Sequence, residues 1–209
     1  MEKVQRMFNP TVTDVQRLRD AGLPAFFRPQ DAEAAGVSYD NLRRMEAAGL
    51  VEREGWGLYW RTDVDITQHH SVAAVCARAP NAIVSLITAL RVHDIGTQLG
   101  YGVWIAVPHG ERAPSMDSVK LHVTRFSGPS LRYGVVDTKF EGVPARITTP
   151  ARTVVDCFRF RRRVGLEAAL EAFDEVLLER KATPDEIWRA AEACRARYLV
   201  EPLLYDRAR

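Results

Sequence analysis

Two adjacent arginines, Arg43 and Arg44, sit in the stretch Ser38-Tyr39-Asp40-Asn41-Leu42-Arg43-Arg44-Met45. On a helix, steps of about 100° per residue place Leu42, Met45 and Ala48 in one row. Asp40, Arg43, Arg44 and Ala47 then lie opposite, with Tyr39 at the edge of that outward face. Two guanidinium forks side by side can bond guanine acceptors or phosphate oxygens. Ser38 and the first-turn N–H groups can hold a phosphate, and Arg28 and Gln30 can do the same beside the preceding helix. Arg53, Trp56 and Arg61 follow in a hairpin that could reach the DNA backbone or minor groove. The competing reading makes Arg43 and Arg44 a solvated face paired with Asp40 or Glu46. On that reading Trp56, Tyr59 and Trp60 are packing residues.

Other residues are candidates for different chemistry. Arg159, Arg161, Arg162 and Arg163 form the densest basic run, either a second nucleic-acid footprint or a solvated loop. Arg152 and Asp156 are four apart, which permits an intrahelical ion pair or a contact to nucleic acid or a partner. Asp137-Thr138-Lys139 on a strand, with Asp117 or Asp94 as a second carboxylate, is the minimal set for a metal-dependent nuclease. No phosphate-binding GxxxxGK loop, dinucleotide fingerprint or nucleophile elbow is present. His69, His70, His93, His109 and His122 lack the spacing of a helical metal site. The expectation is a protein without enzymatic activity, bound metal or cofactor.

The arginine pair needs a scaffold, and the flanking sequence supplies one. A helix is predicted from about Thr11 to Ala21, stopped by Gly22. Pro29 opens a second helix that ends at Gly36, and Ser38 caps a third from Tyr39 to Ala48. Leu50-Val51 begins a strand, Glu54-Gly55 turns, and Trp56 to Arg61 returns. That order is a winged helix-turn-helix over residues 1–62. A linker follows over Thr62 to Gln68, then a second domain over 69–209. There, helices are expected at Ser71–Arg78 and Ile83–Leu90. Strands are expected at Val103–Val107, Val119–Thr124, Leu131–Asp137 and Ala145–Ile147. Three helices close the chain, starting near Thr149, Gly165 and Thr183. The fold class is α+β: the winged helix, then a mixed α/β domain with a small sheet and a C-terminal helical part.

Composition bounds the rest. With 46% hydrophobic and 27% charged residues, the 209-residue chain can build a sizeable core. A net charge of +2 decides little, because a DNA binder needs only a local basic surface. Three widely spaced cysteines read as free thiols in a reducing compartment. With no secretory signal and no apolar run near 20 residues, a cytoplasmic location is expected.

The stretch FRPQDAEAAGVSYDNLRRMEAAGLVEREGWGLYW, together with ITTPARTVVDCFRFRRRVGLEAALEAFDEVL from Ile147 to Leu177, resembles the AbiEi-type antitoxin and transcriptional-regulator family of abortive-infection systems. The resemblance implies a DNA-binding repressor of its own operon and a carboxy-terminal part linked to neutralising a nucleotidyltransferase-like toxin. In that type IV arrangement direct toxin contact is not required. The implied partner is double-stranded DNA, an inverted repeat upstream of the operon, bound by a monomer or dimer; no membrane is involved. The alternatives are the nuclease above, or a protein-interaction adaptor docking through Leu166, Phe173 and Leu177.

Overall fold

The computed structural model describes residues 10–55, 57–97 and 100–207. Its first part comprises α1 (Pro10–Asp20), β1 (Phe26–Phe27), α2 (Pro29–Ala34), α3 (Tyr39–Ala47), β2 (Val51–Gly55) and β3 (Leu58–Arg61). The strands form an antiparallel sheet in the order β1-β3-β2. Leu18, Phe27, Ala32, Val37, Leu42, Met45, Val51 and Tyr59 close into one buried cluster beneath the three helices. Full burial of side chains such as Leu42 and Met45 stabilises by roughly 1.5–3 kcal/mol each. This is the expected winged helix-turn-helix.

The second part runs α4 (His70–Arg78), β4 (Ile83–Val84), α5 (Leu86–Val92), β5 (Val103–Pro108), β6 (Leu121–Phe126), a 3-10 turn (Gly128–Leu131), β7 (Val135–Phe140) and β8 (Val143–Thr148). Five helices follow: α6 (Pro150–Arg159), α7 (Arg161–Val164), α8 (Leu166–Leu178), α9 (Pro184–Ala193) and α10 (Arg197–Arg207). The sheet is mixed, in the order β6-β5-β4-β8-β7, with β5–β6 and β4–β8 parallel. α4 packs on one face, and α5, α6, α8, α9 and α10 enclose a separate apolar cluster around Val154, Phe158 and Phe173. No described helix is long and apolar enough to cross a membrane.

Three expectations change. Ile83 to Leu90 is not one helix: Ile83-Val84 is the central strand, and Leu86 turns the chain into α5 with φ 51°. Ile83 and Val84 pack in different clusters, the alternation of a strand buried on both faces. The strand expected at Leu131–Asp137 begins at Val135, after the 3-10 turn, and the closing helices number five among the described residues.

Two buried polar groups fix the parts to one another. Arg152, fully buried on α6, donates from Nε to Asp156 at 2.8 Å and to the carbonyls of Tyr133 (2.5 Å) and Ser130 (2.9 Å). Its guanidinium also lies 4.8 Å from the Phe126 ring centroid on β6. The other Asp156 oxygen accepts from Arg159 at 2.7 Å. Of the two readings of Arg152 and Asp156, the structure builds the internal ion pair. It locks α6 to the segment between β6 and β7.

Glu141, at the β7–β8 turn, joins the sheet to the winged helix. Its carbonyl accepts the Ala25 N–H at 3.0 Å. Its carboxylate, 2% exposed, accepts from the Thr67 N–H (2.8 Å), the Thr67 hydroxyl (2.9 Å) and the His70 ring (2.8 Å). The His70 ring in turn packs on Phe26 and Trp60. The expected linker is thus hydrogen-bonded to the sheet at Thr67. Burial raises the Glu141 pKa, but the Thr67 and His70 hydrogen bonds outweigh it and hold the carboxyl below its ordinary value.

Removing the Arg152 side chain leaves one oxygen of the buried Asp156 carboxylate and two carbonyls without their donor. Arg152→Ala is therefore expected to cost about 3–5 kcal/mol in urea unfolding, with Arg152→Lys failing to restore it because one ammonium cannot copy the fork. Glu141 has a folded pKa below its unfolded value of about 4.3, so its contribution is present above that pH and lost as pH falls through the folded value. Glu141→Gln should lower the melting temperature at pH 7, and the gap to the unaltered protein should close in acid.

Candidate nucleic-acid interface

The outward face of α3 is held by what lies under it and at its start. Ser38 is the N-cap, its Oγ accepting the Asn41 N–H at 3.3 Å. Gly36, at φ 82°, turns the chain out of α2, and Val37 is buried as the anchor of the turn. Val37 N–H reaches back to the Ala32 carbonyl at 2.9 Å. With Leu42 and Met45 fully buried, the rotation of α3 is fixed, and Asp40, Arg43, Arg44 and Ala47 are exposed. Neither Arg43 nor Arg44 forms an ion pair among the described residues. Both lie on a solvated face, and neither is paired with Asp40 or Glu46 among the described residues.

Tyr39 is 57% exposed at the first turn of α3, near Tyr59 of β3. Burial first, then the negative Glu46 and the neighbouring Tyr39, raise the Tyr59 pKa, while Arg53 lowers it. Arg53 is exposed on β2 directly opposite Tyr59. One polar cluster therefore connects the start of α3 to the hairpin. Gln30 is exposed and Arg28 half-buried at the start of α2, where the Arg28 N–H donates to Asp31 at 2.8 Å.

Arg61 does not belong to an exposed wing. It is 7% exposed, and its fork grips Asp63 at 3.0 and 2.9 Å and the Leu23 carbonyl at 2.8 Å. Arg19 reaches the same carboxylate at 2.5 Å. The Arg61 hydrogen bond leads the causes that depress the Asp63 pKa against burial. A lone basic residue at a strand end reads as a contact in sequence; here it pins the hairpin to α1. Trp56 lies outside the described residues.

The basic run after α6 is likewise drawn apart. Arg159 binds Asp156 and, at 3.3 Å, Ser130; Arg161 donates to the Phe158 carbonyl. Arg163 donates to the Val123 carbonyl and Thr124 hydroxyl, and lies over the Trp104 ring. Arg162 is exposed. A four-arginine footprint is not what this segment builds; three of its forks are engaged within the chain.

The other candidates disperse as well. Asp137 and Lys139 lie on β7 and Asp117 just before β6, the two opposite edges of the sheet. Four strand spacings, roughly 19 Å, separate those edges, too far for two carboxylates to share a cation. Among the described residues no group of three or more His, Cys, Asp or Glu could hold a metal. Phe173 of the proposed adaptor stripe is core, Leu177 is partly buried, and only Leu166 is exposed. His93 Nε2 donates to the Thr148 carbonyl (2.7 Å), and burial pushes the His93 pKa down. The three cysteines are free and buried, with Cys76 pushed up to about 12 by burial. Sequence reasoning missed the Glu141–Thr67–His70 cluster, in which Glu141 lies more than 70 residues from both partners and carries no local signal.

Comparison with known proteins addresses the same segment. No curated protein sequence matches the chain. The chain is similar in fold to the crystal structure of the RV2827C protein from Mycobacterium tuberculosis, with a TM-score of 0.57 and 16% identity, covering 92% of this chain and 76% of that one. Residues 21–62, from the end of α1 through β3, match a family described as "Transcriptional regulator, AbiEi antitoxin"; the match does not extend to 147–177. Over those residues the winged helix-turn-helix of this chain is similar to that of the AbiEi antitoxin family of transcriptional regulators.

Proposed function

We propose that this chain is a sequence-specific DNA-binding repressor of its own operon and the antitoxin of a type IV pair, acting in the cytoplasm. The observation that carries the reading is the pair of exposed guanidiniums, Arg43 and Arg44, on a helix whose rotation is fixed by buried Leu42 and Met45. On this reading α3 enters the major groove, where Arg43 and Arg44 read base edges and Asp40 faces a base donor. Ser38, Tyr39, Arg28 and Gln30 position the phosphate backbone, and Arg53 follows it from the hairpin. The family match to residues 21–62 supports the regulatory role. The toxin partner is a nucleotidyltransferase-like protein that need not touch this chain.

The test is a gel-shift titration on the DNA upstream of the gene against random duplex. Specific base contacts by arginine contribute about 1–3 kcal/mol each, so Arg43→Ala with Arg44→Ala should weaken operator binding by about 30-fold or more. The affinity of the unaltered protein should fall steeply with salt, and the double variant should lose its preference for the operator while its melting temperature stays unchanged because both side chains are exposed. Equal binding of the unaltered protein to operator and random DNA would refute the reading.

A further inference from the structure

Among the described residues the five-stranded sheet stops at β7, which pairs with β8 on one side only. Which of its backbone groups face outward follows from the hairpin. Glu141 and Gly142 make a two-residue turn with φ 49° and 79°, so the flanking pair Phe140–Val143 is hydrogen-bonded and the pairs alternate from there. Lys139–Pro144 and Asp137–Arg146 are then pairs without mutual hydrogen bonds, in keeping with Pro144 having no N–H to offer. The N–H and C=O groups of Val135, Asp137 and Lys139 point away from β8. At one end the Val135 N–H is taken by the Arg132 carbonyl at 3.2 Å; at the other the Glu141 carbonyl is taken by Ala25. Between these ends, Asp137 and Lys139 are the positions whose outward groups have no backbone partner among the described residues; both are exposed, and their neighbour Val136 is 45% exposed.

An edge strand with free backbone groups either repels other strands or recruits one, and edges that repel commonly carry like charges, often lysine. Here the two open positions carry opposite charges on either side of Thr138. In an antiparallel pair with a twofold axis through Thr138, Asp137 lies opposite Lys139 of a second copy, and Lys139 opposite its Asp137. Both are outward-facing positions, so each such pair exchanges both of its backbone bonds. Opposite charges directly across strands stabilise, and like charges destabilise. The register that satisfies the backbone is also the one that matches the charges.

We propose that β7 is the surface through which two copies of this chain associate, joining their sheets into one continuous sheet by an isologous contact. The contact is short and polar, so association is concentration-dependent. The occupant is a second copy because the strand is complementary to itself.

Sedimentation equilibrium of the free protein across a concentration series, at low salt and without DNA, tests this. The weight-average mass should rise from the 23.5 kDa of one chain toward twice that value. Asp137→Lys alone and Lys139→Asp alone, each giving an edge of one sign, should stay at the single-chain mass. The double swap should associate again, and a mixture of the two single variants should form the mixed pair. Lys139→Pro, which removes one outward donor without touching the bonds to β8, should abolish association with little change in melting temperature. A single-chain mass at every concentration for the unaltered protein, or single variants that associate as it does, overturns the proposal. Because no DNA is present, that result leaves the reading of Arg43 and Arg44 standing.

Discussion

The structure depends most on a charge that has been taken out of water. Arg152 is fully buried, and an unpaired guanidinium there would be untenable. Every direction of its fork is answered: Asp156 on its own helix, the Ser130 and Tyr133 carbonyls, and the Phe126 ring. Those partners come from α6 and from the chain between β6 and β7, so one side chain ties the helical half to both ends of a crossing segment. Gly134 shows how closely the backbone approaches. At φ 61°, a Cβ added there would lie 2.7 Å from that of Arg152. The segment can pass over α6 only at a residue without a side chain.

That arrangement decides the fate of the neighbouring arginines. Asp156 has a second oxygen to satisfy, and Arg159 takes it. α7 then follows immediately, with Arg161 turned back to the end of α6 and Arg163 folded over Trp104 and β6. A run that looks like a basic patch in sequence is consumed in closing the seam between helices and sheet. The nucleic-acid surface proposed above lies instead on the winged helix, where Arg43 and Arg44 form no ion pair among the described residues.

The winged helix was legible because its signals are local. Pro29, Gly36, Ser38 and Gly49 punctuate the helices, and the Leu42–Met45 row fixes which side of α3 is outward. What could not be read depends on residues far apart. Ile83-Val84 looks like the start of a helix because an apolar run carries no period; only its neighbours β5 and β8 make it a strand. Arg61 reads as an exposed base until Asp63 and the Leu23 carbonyl are placed around it. The Glu141 cluster is of the same kind, and the expected linker could not reveal that it is fastened.

Two consecutive phenylalanines face opposite sides of β1. Phe27 belongs to the cluster beneath α3, while Phe26 packs with α4, β5 and β8 in the sheet's cluster. A two-residue strand is therefore shared by both hydrophobic interiors, and neither can loosen without disturbing the other. Thermodynamic linkage follows: a ligand that favours the ordered winged helix also favours the ordered sheet. Occupancy at one end of the molecule is thereby felt as firmness at the other, through a coupling that needs no moving part.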